Sequence, residues 1–361
     1  MKKVVIALII LIIPLSIFSQ DDEYKAYLLS LEGIEHINNK EYKEAIVLFN
    51  KAIDINPNII EYHYEKALAF TLSKQGDSAI SLLEDIVKWE DATDIIYQLL
   101  ATNYVVSKRN DEAAILLKDG IDRFPKSGRL YAELAGTEHG QQNISQVLPL
   151  WEKGVEVDPN FPDNYYYLSE YFSFTGERVW TIIYGEIYLN WARIKERKEY
   201  ITKNVYFAFN ESCFIPEDTT NEQLRFTLIK IKTANPDSFN GPFEWEYEYC
   251  HRKVLKSMDK ANKLQFTIKE INTLREKFID CWFSAELDKR FANALFDWQK
   301  RIIKLGYNDS YGYWLYEYAQ PNEFEEWFEN NEGKYQQFLS WVKENPLEFE
   351  EDESVYRLKY K

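Results

Sequence analysis

The stretch EYKEAIVLFNKAIDINP, from Glu41 to Pro57, sets the pattern for the first half of the chain. In it the small residue Ala45 is followed four places later by Phe49 and then by the closing proline. A small residue returns every 34 residues, at Ala79, Ala113, Val147 and, less closely, Thr181. A fixed period of this length is typical of stacked structural repeats.

Each 34-residue block has the residue order of a helix hairpin. Blocks begin at Ala26, Ile60, Asp94, Gly128 and Pro162. The eighth place of each block is small, as Gly33, Ala67, Ala101, Ala135 and Ser169. The thirty-second place is Pro57, Pro125 and Pro159, with Asp91 as the exception. Small residues in both helices let their axes approach closely, and the proline ends the second helix because it lacks an amide hydrogen.

Residues 26 to about 190 resemble an array of tetratricopeptide repeats (TPRs). Besides the period and the prolines, the resemblance rests on Leu100, Leu134 and Leu168, which precede three of the small residues. Glu32 and Lys66 depart from that leucine position, and the last block departs at Thr181, Gly185 and Tyr188. The resemblance implies an all-α fold, a right-handed α-solenoid of about five hairpins, in which the fifth diverges as a transition or cap.

Beyond residue 196 the 34-residue period does not continue, but the sequence still shows helical periodicity. Apolar stripes occur at Ile271, Leu274, Phe278 and Trp282, and at Phe291, Leu295, Trp298, Ile302 and Leu305. Ile182 to Tyr200 is predicted to be one long helix, and loops are predicted at Pro216, Pro236 and Pro242. We therefore expect a repeat domain over residues 20–195 and an irregular, aromatic-rich helical domain over 196–361 that caps it or folds back on it.

The first 19 residues have the pattern of a secretory signal peptide. Lys2 and Lys3 precede an apolar run, and Ser19 and Gln20 form the expected cleavage site. The alternative is an uncleaved membrane anchor, but Pro14 interrupts a run that is shorter than the roughly 20 apolar residues of a spanning helix. We expect an exported protein, periplasmic or extracellular, that is soluble and free of membrane insertion after cleavage.

The charge of the chain restricts its partners. Without Lys2 and Lys3, the remaining 41 basic and 59 acidic residues give a net charge of −18. Such a charge repels phosphate backbones and anionic lipids, which argues against nucleic acid as a partner and favours neutral or basic ones. The alternative is that the charge only keeps an exported protein soluble, and the sequence leaves both interpretations open.

The sequence contains no signature of a common catalytic or metal site. The GxSxG, HExxH, Walker, GxGxxG and paired CxxC motifs are all absent, so we expect no catalytic residue, cofactor or metal. Cys250 and His251 are neighbours that point different ways on a helix, which indicates a structural role. In an exported chain two of Cys213, Cys250 and Cys281 are able to form one disulfide, and the alternative is that all three remain free.

The TPR resemblance implies that a concave groove is lined by the first helices of the hairpins. Carried over residue by residue, the lining is Tyr64, Glu65, Leu68, Gln98, Thr102, Glu133, Tyr166, Tyr167 and Glu170. This aromatic and acidic lining suits a protein or peptide segment with apolar anchors and a basic group. The basic and Asn residues with which some TPR proteins bind a C-terminal carboxylate are missing here. The alternative is that these are ordinary solvated positions.

Two further functions compete with protein binding. The aromatic residues of the C-terminal half, among them Tyr311, Trp314 and Tyr318, would bind a glycan if they were exposed, although helical spacing favours a core role. A carboxylate-dependent hydrolase would use the region from Glu244 to Glu248, since two carboxylates suffice across a sugar. Its alternation with Trp245 favours instead a half-exposed helix or strand with aromatics packed on one side.

Overall fold

The computed structural model describes residues 13–213, 241–258, 265–350 and 353–360. Regular structure in these residues is entirely helical, which confirms the predicted all-α solenoid class. The α-helices are α1 (Ile13–Asn38), α2 (Tyr42–Ile55), α3 (Ile60–Leu72), α4 (Gly76–Ile86), α5 (Asp94–Val106), α6 (Asn110–Arg123), α7 (Gly128–Gly140), α8 (Ile144–Val157), α9 (Pro162–Ser173), α10 (Arg178–Trp191), α11 (Lys195–Cys213), α12 (Phe243–Ser257), α13 (Ile268–Ser284), α14 (Ala294–Lys304), α15 (Asn308–Tyr316) and α16 (Pro321–Glu344).

Some sequence predictions fall outside these ranges. Most of the predicted signal peptide, up to residue 12, and the predicted loops at Pro216 and Pro236 lie there. Within the described ranges, none of the helices is long and apolar enough to cross a lipid bilayer.

The hairpins follow the 34-residue blocks. Helices α3, α5, α7 and α9 begin at the predicted block starts, whereas α1 begins at Ile13, ahead of Ala26. The helices α2, α6 and α8 each end two residues before a proline, at Pro57, Pro125 and Pro159. Helix α4, whose block has Asp91 in place of the proline, ends earlier, at Ile86. Proline therefore sets the helix end at three of the four boundaries.

The turn between the two helices of a hairpin repeats with the same period. Lys40, Lys74, Lys108 and Gln142 have positive φ angles of 64°, 61°, 62° and 63°. The amide of the following residue donates five residues back, as Gln75 does to the carbonyl of Phe70 (2.8 Å) and Arg109 to that of Tyr104 (2.8 Å). This is a Schellman motif, which usually has glycine at the left-handed position. One backbone turn thus reverses the chain in four successive hairpins.

The described residues divide into two compact units. Unit 1 contains the chain up to Pro125 together with Gly136–Asn143, and unit 2 contains Lys126–Ala135 and the chain from Ile144 onward. The boundary predicted between residues 195 and 196 falls in the first turn of α11, and both α10 and α11 belong to unit 2.

Unit 1 is built on close helix contacts at the small positions. Ala45, Ala67 and Ala79 have no exposed surface. A Cβ atom added to Gly33 would lie 2.8 Å from Cζ of Phe49, so only glycine leaves room for this ring. The small and large positions of the repeat are therefore complementary parts of one contact.

The first hairpin exposes residues whose equivalents in the third hairpin are buried. In the third block Ile96, Leu100 and Asn103 are buried. The equivalent residues of the first block, Leu28, Glu32 and Glu35, are exposed. A carboxylate is favoured over leucine at an exposed position, although this surface of α1 also carries the exposed Tyr24 and Leu31. This explains why Glu32 departs from the leucine of the repeat pattern.

The repeat pattern changes at the fifth hairpin, which lies inside unit 2. A Cβ atom at Gly185 of α10 would overlap side-chain atoms of Val205 on α11 and Ser169 on α9. Gly185 therefore lets three helices meet. This accounts for a glycine at the place where Trp151 stands in the preceding block. The prediction of one long helix from Ile182 to Tyr200 is wrong: α10 ends at Trp191 and α11 starts at Lys195. This break lets α11 pack back on α9 and α10.

Aromatic residues form the core of unit 2, as helical spacing predicts. The rings of Trp180, Trp282, Phe296 and Tyr360 surround Phe243, with centroids 4.5–6.3 Å from it. Both predicted apolar stripes are buried, except that Leu305 at the end of α14 is exposed. Tyr311, Tyr313 and Tyr316 are buried as well, and Trp314 and Tyr318 are half-buried.

The C-terminal segment packs on the hairpin helices of unit 2. The side-chain amide of Asn160 donates to the carbonyl of Phe349 (2.9 Å) and accepts from its N–H (3.0 Å). The indole of Trp191 donates to the carbonyl of Leu347 (2.7 Å). Arg357 makes two hydrogen bonds, of 2.9 and 3.2 Å, with the buried carboxylate of Glu152. The C-terminal region thus folds back on α8–α10.

We predict opposite effects of alanine at two glycines. Gly185→Ala should destabilise the protein by roughly 1–3 kcal/mol because the added methyl group overfills a packed contact. Gly136→Ala should stabilise it by up to about 1 kcal/mol, because Gly136 is exposed in α7 and no atom lies within 4 Å of its added Cβ. Urea unfolding followed by circular dichroism measures both changes, and equal stability of the two variants would contradict the packing role of Gly185.

The Schellman turns allow a second prediction. Lys108→Gly should raise the free energy of unfolding by about 0.5–1 kcal/mol, because glycine adopts the left-handed conformation without strain. The matched control is Lys51→Gly at an exposed position inside α2, which should lower it by about 1 kcal/mol. Urea titrations of both variants provide the comparison. If glycine destabilised both positions alike, the left-handed strain would be refuted.

Candidate functional site

The nine predicted groove residues all lie on first helices and are all half-buried. Five belong to unit 1 and four to unit 2, so each set is described by itself. Unit 1 contains Tyr64, Glu65 and Leu68 on α3 and Gln98 and Thr102 on α5; unit 2 contains Glu133 on α7 and Tyr166, Tyr167 and Glu170 on α9.

The set in unit 1 extends into a row of exposed apolar side chains. On α5, Ile95 and Val105 precede and follow Gln98 and Thr102 at helical spacing, and they are 37% and 41% exposed. Val106 is 75% exposed. On α3, the 43% exposed Leu72 lies one turn beyond Leu68. We call Tyr64, Leu68, Leu72, Ile95, Gln98, Thr102, Val105 and Val106 the α3–α5 face.

Sequence reasoning missed the apolar end of this face. Leu72 and Val106 occupy the same place in two successive blocks, 34 residues apart. Their recurrence was therefore available as a signal. The groove positions implied by the TPR resemblance end at Leu68 on α3 and at Thr102 on α5, so they do not include the last turn of either helix.

Side-chain hydrogen bonds fix the two helices of the α3–α5 face relative to each other. The amide of Asn103 donates to the hydroxyl of Thr71 on α3 (2.9 Å) and to the carbonyl of Leu99 in its own helix (2.8 Å). The hydroxyl of Thr102 donates to the carbonyl of Gln98 (2.9 Å), so it is turned back onto α5. The face is therefore formed before any partner arrives.

The acidic border of the α3–α5 face is provided by α3. Glu61 is exposed, and Glu65 is half-buried beside Tyr64. Burial raises the pKa of Glu65 above its usual range. A nearby cation would lower that pKa again, so a basic group of a partner would be stabilised at this border.

The set in unit 2 already holds a basic group of its own chain. The guanidinium of Arg197, on α11, lies 3.0 Å from the carboxylate of Asp163. Its Cζ atom is 4.5 Å from the ring centroid of Tyr166 and 5.7 Å from that of Tyr167. These are cation–π distances. No part of the sequence pattern pointed to Arg197, because it follows the break after α10 that the sequence did not predict.

The tyrosines of unit 2 also pack on neighbouring rings. Tyr167 stacks on Trp151 with centroids 5.3 Å apart, and Tyr166 lies 5.2 Å from Tyr188. Burial is the main cause that raises the pKa of Tyr166 and Tyr167, and it raises that of Tyr188 to about 12. Tyr166 and Tyr167 therefore contribute to packing inside unit 2, and Arg197 covers a ring face of each.

The glutamates proposed for a hydrolase are not on a half-exposed face, and that expectation is wrong. Glu244, Glu246 and Glu248 of α12 are all buried. The indole of Trp180 donates to Glu244 (3.1 Å), the amide of Gly241 to Glu246 (2.6 Å) and Arg252 to Glu248 (2.9 Å). Each carboxylate has its own structural donor, which explains how three acidic groups are accommodated in one core helix.

A second group of buried polar residues surrounds a small cavity in unit 2. The carboxylate of Glu186 accepts from Gln299 (2.5 Å) and from the hydroxyl of Tyr311 (2.7 Å), and Arg275 lies 3.8 Å away. The cavity beside them has a volume of about 20 Å³ and is also lined by His251. This volume holds about one water molecule. The cavity is therefore too small for a sugar or a peptide.

Cys250 and His251 are part of the packing between α12 and α13. His251 lies 4.2 Å from the ring of Phe278, and its Nδ1 is 2.9 Å from the carbonyl of Tyr247. Burial lowers the pKa of His251 to about 3. Among the described residues, no cluster of three or more His, Cys, Asp or Glu side chains has the arrangement of a metal site.

The buried imidazole predicts a pH dependence of stability. Below pH 6.5 the unfolded chain binds a proton at His251 that the folded chain binds only near pH 3. Stability is therefore lost as the pH falls through this window, by about 2 kcal/mol between pH 7 and pH 5. His251→Gln removes this contribution and keeps a donor for the carbonyl of Tyr247. Urea unfolding at both pH values should show a smaller acid loss for the variant, and identical losses would contradict the assignment.

The comparisons with curated proteins give two relatives of the repeat type. Over 142 residues the chain is 30% identical to small glutamine-rich tetratricopeptide repeat-containing protein 2 of Mycosarcoma maydis, covering 39% of this chain and 31% of that protein. Over 148 residues it is 33% identical to the Hsp70-Hsp90 organising protein of Plasmodium falciparum, covering 39% and 24%. The chain thus spans a third or less of these relatives. They support the TPR assignment of the repeats.

Solved structures show similar helical arrays at low identity. A structure reported for the functional characterization of Pseudomonas aeruginosa pilF is 15% identical, with a TM-score of 0.44 over 52% of this chain and 86% of that one. The TPR protein TTC0263 of Thermus thermophilus is 16% identical, with a TM-score of 0.43 over 50% and 98%. No known family profile matches the chain.

Proposed function

We propose that the protein is a non-catalytic interaction scaffold that binds a segment of another protein on the α3–α5 face. The observation that carries this proposal is the row of exposed apolar side chains at Leu72, Ile95, Val105 and Val106. Large apolar residues exposed on a fixed surface are a feature of protein-binding sites. The relative from Plasmodium falciparum is named as an organiser of two other proteins, Hsp70 and Hsp90, which agrees with such a role.

The chemistry of the face defines the partner. Its apolar residues would hold apolar side chains, and Tyr64 offers a large rigid contact area. Glu61 and Glu65 at the border favour lysine or arginine, as does the formal net charge of −16 for the whole chain. We therefore expect an amphipathic segment with apolar anchors and at least one basic residue.

The proposal also covers the four predicted groove residues of unit 2 and the cellular location of the protein. Glu133, Tyr166, Tyr167 and Glu170 form a candidate surface of their own in unit 2, but Arg197 already lies over the two tyrosine rings. We thus assign the main contact to unit 1. The signal-peptide pattern at Lys2, Lys3 and the following apolar run supports action in the cell envelope or outside the cell.

The two rival functions have less support. A glycan site would need exposed rings in the C-terminal half, where Tyr311 is buried and Trp314 and Tyr318 are half-buried. A hydrolase would need two carboxylates facing one substrate, whereas the three glutamates of α12 are buried and each accepts from a different group. Neither arrangement presents a ligand-sized surface at these residues.

We predict that charge introduced on the α3–α5 face abolishes partner capture. The double variant Leu72→Glu and Val106→Glu should capture at least tenfold less of its specific partners from an envelope extract. The reason is that a glutamate buried in the contact costs binding free energy. The matched control is Ile115→Glu, which changes a 70% exposed apolar residue of α6, a second helix. Quantitative mass spectrometry of the captured proteins measures the loss. Equal capture by both variants, with circular dichroism unchanged, would rule out this face.

The acidic border gives an independent prediction. Replacing Glu61 and Glu65 by Lys should weaken binding of the captured partner about tenfold or more at low salt, and the effect should shrink at high salt. Calorimetric titration with the partner segment identified by capture measures this change. Tyr64→Ala and Tyr166→Ala, tested separately, show which unit makes the contact: we expect a large loss for the first and a small one for the second.

A further inference from the structure

The side chain of Arg197 fills a pocket of unit 2 that is built from tyrosines and a carboxylate. Its guanidinium lies 3.0 Å from a carboxylate oxygen of Asp163, and its Cζ atom lies 4.5 Å from the ring centroid of Tyr166 and 5.7 Å from that of Tyr167. Aromatic faces and carboxylates are the groups that a guanidinium binds best. We call Asp163, Tyr166 and Tyr167 the α9 pocket.

The walls of the α9 pocket are held in place by contacts that do not involve Arg197. Tyr166 and Tyr167 meet edge to face, with centroids 5.1 Å apart. Tyr167 also stacks on Trp151 of α8, and Tyr166 packs on the buried Tyr188 of α10. Rings that are fixed by other rings need no cation to order them. The pocket should therefore keep its shape when the side chain of Arg197 leaves it.

Arg197 is placed so that it is able to leave the pocket. Its side chain is 28% exposed, and that of Asp163 is 36% exposed. Arg197 is the third residue of α11, directly after the break between α10 and α11. The free amides at a helix N-terminus carry a partial positive charge, which disfavours a cation in the first turn. Arg197 thus binds the pocket from an unfavourable position, which an arginine of another chain would not share.

We propose that the α9 pocket is a binding site for an arginine side chain of a protein partner, and that Arg197 is an internal competitor that keeps it closed. A planar guanidinium stacks on a ring and donates to a carboxylate at the same time, so the site should prefer arginine to lysine. The inference rests on the proposed function in one respect, namely that the natural ligand is a segment of another protein.

The test uses the full chain and arginine amide as the probe. Arg197→Ala opens the pocket, and its matched control is Arg193→Ala, which removes an exposed guanidinium four residues earlier. Saturation-transfer NMR of the probe at constant ionic strength measures binding. Arginine amide should bind Arg197→Ala at least about tenfold more tightly than the parent chain or Arg193→Ala, because no internal competitor remains. Lysine amide should bind Arg197→Ala more weakly than arginine amide does. Equal binding of arginine amide to all three chains would overturn the proposal.

A second substitution shows where the probe binds. Asp163→Asn in the Arg197→Ala background keeps the shape of the carboxylate and removes its charge, so the gain in binding should disappear. If the gain persists, the probe binds elsewhere and the α9 pocket is not the site. If Arg197→Ala is unfolded, arginine amide should restore its helical circular dichroism signal. Failure to restore that signal would leave Arg197 with a packing role alone and refute the proposal.

The outcome is separable from that for the α3–α5 face. Arginine amide reports on the α9 pocket without any protein partner. The α3–α5 face is tested by partner capture with Leu72→Glu and Val106→Glu. A negative result with the probe therefore removes the arginine site of unit 2 and leaves the main contact in unit 1 to its own experiment.

Discussion

Close approach of helix axes at small residues is the constraint on which the whole structure depends. In unit 1, Gly33 leaves just enough room for the ring of Phe49. In unit 2, Gly185 lets α9, α10 and α11 meet at one point, with Ser169 and Val205 around it. Burial of the large residues beside these contacts supplies the hydrophobic free energy that the short helices lack on their own. Every other feature of the fold, including the repeated turn, arranges the chain so that these contacts form.

The first and the last hairpins differ in how much of their surface is covered by other parts of the chain. In α1 of the first hairpin Glu32 and Glu35 are exposed together with Leu28. The last hairpins are covered by α11 and by the C-terminal segment, through bonds such as those of Asn160 with the backbone of Phe349 and of Arg357 with Glu152. Covering is the stronger solution, because it buries aromatic surface and pairs the polar groups at once.

The same contrast indicates where the protein is able to bind. In unit 2 the chain uses its own groups to occupy the surfaces that a partner would need: Arg197 covers Tyr166 and Tyr167, and the glutamates of α12 have internal donors. In unit 1 the apolar residues at the ends of α3 and α5 remain exposed. The proposal of a binding partner rests on this exposed apolar area, on a surface fixed by Asn103 and Thr71.

The sequence by itself determined the repeat. The 34-residue period located the starts of four first helices, and the prolines located the ends of three second helices, because both signals act through the local backbone and through contacts between neighbours in sequence. It also identified the aromatic stripes of the second half as core. It missed the break between α10 and α11, since no proline or glycine follows Trp191. The tertiary structure alone placed Arg197 over two tyrosines and buried three glutamates. These depend on residues far apart in the chain, whose contacts no local pattern encodes.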